Sequence, residues 1–240
     1  MDTLFWTSLS PKLKIQHTTK LFFGKYAYRL ELDCTGVAYL RGGFSSMTAY
    51  CQEREKRRQI NYGGSWRSER SPVPTLEQCA FVESLENILP DYDAHIKKRI
   101  EDPMMQIYTN DLNVMKSIAS KLDVSYLRSV CVPQNQDEAN MLAKGYVLTA
   151  KPSKWQYKFN TREAKYSTES KEQLLNYLAA LGDEVHLPQS LRESLGEPKS
   201  RYVWGSYIYA HDAGIATMIK MINPHFIRSI DEFHCSARDK

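Results

Sequence analysis

The chain carries nearly the same segment twice. Around Ile107 it reads IYTND, then a helix-like run, then YLRSV; around Ile208 it reads IYAHD, a similar run, then FIRSI. Asp111 and Asp212 lie 101 residues apart, and Arg128 and Arg228 lie 100 apart, so a single gap reconciles the two frames. Upstream, LEQ at 76–78 leads to EDP at 101–103, as KEQ at 171–173 leads to GEP at 196–198. Further back, KYAYRLEL at 25–32 has a counterpart in KWQYKFN at 154–160. A repeat of this length divides 240 residues into two similar units of ordinary domain size, expected at 1–135 and 136–240.

Periodicity within the units predicts what each one is built from. In the second, Trp155, Tyr157 and Phe159 alternate with polar residues as in a half-buried strand, and Leu174, Leu175, Leu178 and Leu181 follow at helical spacing. A short apolar patch at Val185 and Leu187 comes next, and this strand after the first helix is the weakest element in both copies. Tyr202–Tyr209 then reads as one strand, Ile215, Met218, Ile219 and Ile222 as a helix, and Phe226–Phe233 as the last strand. The first unit repeats the order with Tyr26–Leu32, the stripe Leu76 to Leu89, Met105–Thr109, the stripe Met115 to Leu122, and Tyr126–Val132. A β-α-β-β-α-β order is the ferredoxin-like pattern, so the expected fold is α+β: two tandem ferredoxin-like units. The linker segment GYVLTA at 145–150 has the character of an added edge strand.

The two copies are unequal in one place. Between its first strand and first helix the second unit has about ten residues, 161–170, whereas the first has an insertion at about 41–74. That insertion holds Arg54, Lys56, Arg57, Arg58, Arg67 and Arg70, with Tyr62 and Trp66 beside Gly63-Gly64, and it ends in the stiff run Ser71-Pro72-Val73-Pro74. Cationic side chains neutralise phosphates and release counterions, and aromatic rings stack on unpaired bases. Helices on one side of such a sheet leave its other face free, and alternation puts Lys25 and Arg29 there in the first unit and Lys154 and Lys158 in the second.

Catalytic signatures are missing. No Gly-rich phosphate loop, GxSxG, HExxH or paired CxxC occurs, nor the His-x-His strand of rolling-circle nucleases. Asp33, Asp111 and Asp212 are the carboxylates that could hold a metal, although the helical spacing after Asp111 and Asp212 reads as N-capping. Asp231, Glu232, His234 and Cys235 alternate across a strand and so divide between its faces. Tandem ferredoxin-like units with a basic groove resemble, in topology alone, the CRISPR RNA-processing endonucleases. That resemblance implies a histidine-based ribonuclease, with His17, His211 and His225 as acid–base candidates, but the Gly-rich C-terminal loop of that family is missing from MINPHFIRSIDEFHC.

Composition sets the remaining bounds. A net charge of +4 is only mildly basic. Five cysteines, at 34, 51, 79, 131 and 235, show no ligand spacing and suit a reducing, cytoplasmic compartment. No signal peptide and no run of roughly 18–20 apolar residues is present, so no membrane association is expected. The expected protein binds single-stranded RNA or DNA without a cofactor or metal, as an accessory subunit of a replication, transcription or RNA-processing complex. Its protein partners would be other subunits of that complex. Two alternatives remain: an assembly protein pairing through its sheet edges, and a small endoribonuclease or metal-dependent nuclease.

Overall fold

The computed structural model describes residues 3–59, 72–198 and 200–236, the side chains of 58 and 59 excepted. It is a mixed α+β protein: the described residues form eight helices, two five-stranded mixed sheets and a two-stranded ribbon. The chain divides into two compact units, Met1–Ala139 and Asn140–Lys240. No helix among the described residues is long and apolar enough to cross a membrane.

Unit 1 runs through α1 (Thr3–Leu9), β1 (Lys14–His17), β2 (Tyr28–Asp33), α2 (Met47–Gln59), α3 (Leu76–Ile88), β3 (Ile96–Glu101), β4 (Met104–Thr109), α4 (Leu112–Lys121) and β5 (Leu127–Val132). A short helix, α5 (Gln136–Ala143), follows at the division between the units. The strand order is β1-β5-β2-β4-β3, with only the β1–β5 pair parallel. Local chemistry starts the two main helices. Thr75 and Gln78 form a capping box before α3, and the Asp111 carboxylate accepts the Asn113 and Val114 N–H groups before α4. These caps orient Phe81, Val82 and Leu85, and Met115, Ile118 and Ala119, into one core with Leu30, Leu32, Met105, Ile107 and Val130.

Unit 2 runs through β6 (Val147–Thr149), β7 (Tyr157–Thr161), β8 (Ala164–Lys165), α6 (Thr168–Ala180), β9 (Val185–His186), α7 (Gln189–Gly196), β10 (Tyr202–Val203), β11 (Tyr207–Ala210), α8 (Gly214–Ile222) and β12 (Ile227–Cys235). Its order, β6-β12-β7-β11-β9, has the same connectivity as unit 1, and β6 lies parallel to β12 as β1 does to β5. The segment GYVLTA does supply that extra strand. Residue by residue the registers agree: Arg29 faces Tyr108 as Lys158 faces Tyr209, and Leu30 faces Val130 as Phe159 faces Ile230.

Three expectations need correction. Tyr202–Tyr209 is not one strand, because β10 pairs with β8 in the separate ribbon and β11 resumes on β7 after Trp204, Gly205 and Ser206. The strand after the first helix is weak only in unit 2. In unit 1 it is the six-residue β3, whose Lys97, Lys98 and Arg99 mask an alternation in which Ile96 and Ile100 pack on the core. Lastly, β2 begins at Tyr28, so Lys25 lies in a tight turn before the strand and not on the sheet.

Burial in unit 1 has a consequence for alkaline stability. Desolvation chiefly, with nearby Asp102, Asp33 and Cys79, pushes the Cys34 thiol from 9.0 up to about 12. Above pH 9 the unfolded chain gives up this proton while the folded chain keeps it. Stability should therefore fall as pH rises, by up to about 1.4 kcal/mol per pH unit from this thiol. Denaturant titrations at neutral and alkaline pH should show a shallower decline for Cys34→Ala than for the wild-type chain. Equal declines would mean that the thiol is not held protonated.

Candidate nucleic-acid interface

The two faces of the unit 2 sheet differ sharply. Phe159, Ile208 and Ala210 turn toward α6 and α8 and are fully buried with Leu174, Leu178, Ile215 and Ile219. Period-two alternation then places Tyr207 and Tyr209 on the opposite face, with Lys158 and Asn160 from β7, His186 from β9, and Ser229, Asp231 and Phe233 from β12. The rings form a continuous group. Tyr207 and Tyr209 are 5.1 Å apart between centroids, Tyr209 and Phe233 6.1 Å, and His186 and Tyr209 6.2 Å. Lys158 Nζ lies 4.6 Å from the Tyr207 ring centre and 6.0 Å from that of Tyr209. Asn160 Nδ2 donates to Asp231 Oδ2 at 3.0 Å and to Ser229 Oγ at 3.1 Å. Trp155 continues the row, 6.3 Å from His186 and 4.4 Å from His211. Tyr207, Tyr209 and Phe233 are half-buried, and His186 is exposed.

Unit 1 presents the same positions with different contents. Gln106 stands where unit 2 has Tyr207, and Tyr108, the counterpart of Tyr209, is only 3% exposed. Phe22, Phe23 and Tyr26 surround its ring at 5.4, 5.0 and 6.3 Å. Burial pushes the Tyr108 phenol up, against the opposing pull of Arg29 and Arg99. Tyr108 donates to Gln106 Oε1 at 2.6 Å, and Gln106 Nε2 to Glu31 Oε2 at 2.8 Å. Arg128 completes the network, 3.4 Å from Glu31 and 3.6 Å from Asp33. Arg29 does lie on this face, donating to Gln16 at 3.0 Å with its guanidinium 5.1 Å from the centre of the Phe22 ring. Lys25 is exposed in the turn, 5.3 Å from the Tyr26 ring centre.

The bases of the insertion divide by environment. Arg54 turns inward from α2, pairing with Asp102 at 2.7 Å and donating to the Tyr50 hydroxyl at 2.8 Å. Arg57 makes an i,i+4 pair with Glu53 on the surface, and Lys56 is exposed. Tyr62, Trp66, Arg67 and Arg70 lie outside the described residues, as does the side chain of Arg58.

The candidate carboxylates and histidines have separate surroundings. Asp111 caps α4, Asp212 accepts the Gly214 N–H at 2.8 Å, and Asp33 lies near Arg128. Among the described residues no group of three or more His, Cys, Asp or Glu side chains is placed to hold a metal ion. His17 ends β1 in unit 1, while His211 and His225 belong to unit 2, His211 beside Trp155 and His225 in the turn after α8. No family model matches the chain, and no curated protein matches it.

The aromatic row on unit 2 was missed in the sequence, where YVWGSYIY reads as strand propensity alone. The signal was present: Tyr207-Ile208-Tyr209-Ala210 alternates ring with aliphatic, so both tyrosines had to share the face opposite the core.

Proposed function

We propose that the chain is a pair of ferredoxin-like units that binds single-stranded nucleic acid, RNA or DNA, as an accessory subunit of a replication, transcription or RNA-processing complex. The observation that carries this is the unit 2 face, where Tyr207, Tyr209 and Phe233 adjoin one another beneath Lys158. Rings on the helix-free face of a β-α-β-β-α-β sheet can stack on splayed bases, a lysine among them can meet the phosphates, and Asn160, Ser229 and Asp231 offer donors and acceptors to base edges. In unit 1, Lys56, Arg57, Arg58, Arg67 and Arg70 of the insertion would hold phosphates and Tyr62 and Trp66 would stack on bases. Arg54 is better placed as a structural anchor. Assembly through sheet edges has less support. Lys97, Lys98 and Arg99 make β3 a charged edge, and β9 is only two residues long, both of which discourage strand addition.

Anisotropy titration of a labelled oligonucleotide tests the reading. Tyr207→Ala and Tyr209→Ala should each weaken binding by about 1–3 kcal/mol with little change in salt dependence. Lys158→Ala should flatten the slope of log affinity against log salt by about 0.7. Folded variants that bind as tightly as the parent would refute it.

A further inference from the structure

The face of unit 1 that corresponds to the aromatic row is occupied by a piece of its own chain. Residues 21–26 close a tight turn in which the Phe22 N–H donates to Tyr26 O at 2.8 Å and the Tyr26 N–H to Phe22 O at 2.9 Å. The turn lays Phe22, Phe23 and Tyr26 around Tyr108. Two cations sit against it, Arg29 on Phe22 and Lys97, whose Nζ is 3.9 Å from the centre of the Phe23 ring. Arg29 and Tyr108 hold the register positions of Lys158 and Tyr209, and Lys97 that of His186. Where unit 2 leaves a cation and a tyrosine available, unit 1 has covered the same pair with rings.

Two features mark the turn as a substitute for something else. Phe23 holds a left-handed backbone, φ 54°, a conformation that a bulky side chain disfavours, yet the residue remains 53% exposed. Beneath the turn, Arg29 Nε is buried with no hydrogen-bond partner. A guanidinium donor without an acceptor is costly, and the Phe22 ring cannot supply one, whereas a phosphate or a base carbonyl can. The turn closes its hydrogen bonds upon itself, and just beyond it Thr18 Oγ1 donates to Ala27 O at 2.8 Å and the Ala27 N–H donates to Asn110 Oδ1 at 3.0 Å. It can therefore lift as one piece about Ala27, exchanging ring–ring contacts for base–ring contacts.

We propose that Tyr108, Arg29 and Lys97 form a second stacking site for single-stranded nucleic acid, closed by the Phe22–Tyr26 turn in the free protein and opened when a strand displaces it. This rests on reading the unit 2 face as a nucleic-acid interface, and the experiment separates the two. Fluorescein-labelled oligo(U) and oligo(dT) are titrated with Phe22→Ser/Phe23→Gly, with the same pair plus Arg29→Ala, and with each combined with Tyr207→Ala/Tyr209→Ala. The opened variant should bind about ten-fold tighter than the parent, Arg29→Ala should cancel the gain, and the gain should persist without the unit 2 tyrosines. Thermal melting confirms folding, and Phe23→Gly alone, which also relieves the left-handed backbone, serves if the double variant is unstable. No gain, or a gain that survives Arg29→Ala, overturns the second site while leaving unit 2 to be judged by its own tyrosines. Weaker binding would overturn it too, making Phe22 and Phe23 contacts in their own right. A gain with unit 2 variants that bind like the parent would sustain the second site and sink the first.

Discussion

Asp102→Ala is expected to destabilise unit 1 by about 3 kcal/mol, toward the lower end of what breaking a buried ion pair costs. The carboxylate sits in the β3–β4 turn, where Oδ2 takes the Arg54 guanidinium at 2.7 Å and Oδ1 takes the Gly36 N–H at 2.9 Å. Both side chains are largely buried, 16% exposed for Arg54 and 13% for Asp102. Removing the acid would leave a desolvated cation whose remaining contacts are the hydroxyl and ring of Tyr50, together with an orphaned amide. The pair joins α2 to the β-hairpin, so hydrogen exchange in α2 should rise most. Arg54→Met combined with Asp102→Ala should recover part of the loss, since no buried charge then remains. A double variant as unstable as the sum of the singles would mean the two groups do not act together.

Lys171→Met should cost unit 2 about 2–3 kcal/mol, through two carbonyls that lose their donor. Lys171 is 2% exposed in the first turn of α6, where Nζ donates to Glu197 O at 2.6 Å and Ser200 O at 2.8 Å. Desolvation lowers its pKa, against the opposing charge of Glu197. The stem is replaced almost atom for atom, so the loss would report the hydrogen bonds and not packing. Because those carbonyls flank the approach to β10, exchange should accelerate at Tyr202 and Val203 before the central strands. Urea unfolding with residue-resolved exchange distinguishes this from a uniform loss.

What the letters revealed follows from the range of the interactions concerned. Capping and periodicity are local, so α3, α4, α6 and the main strands could be read directly. The repeated motif even contains the two tyrosines at matching register positions, Tyr108 and Tyr209. What separates them is tertiary: Phe22 and Phe23 fold onto a tyrosine far along the chain, and nothing adjacent to them announces it. Arg54 is similar. Its neighbours in sequence make it look like one more cation in a basic run, while its partner Asp102 belongs to a different turn. The charges of β3 hid a strand because its alternation is carried by only two isoleucines.

In unit 1, β5 lies between β1 and β2. β2 can pair with β4 first, but β1 has β5 alone as its partner and waits for a segment made more than a hundred residues after Lys14, which pairs with Ser129. Closing so long a loop carries an entropic cost before any contact rewards it, and pairings of this kind slow folding. During synthesis, β1 would remain without its partner until residues 127–132 have left the ribosome, and its apolar Ile15 would be open to other strands until then.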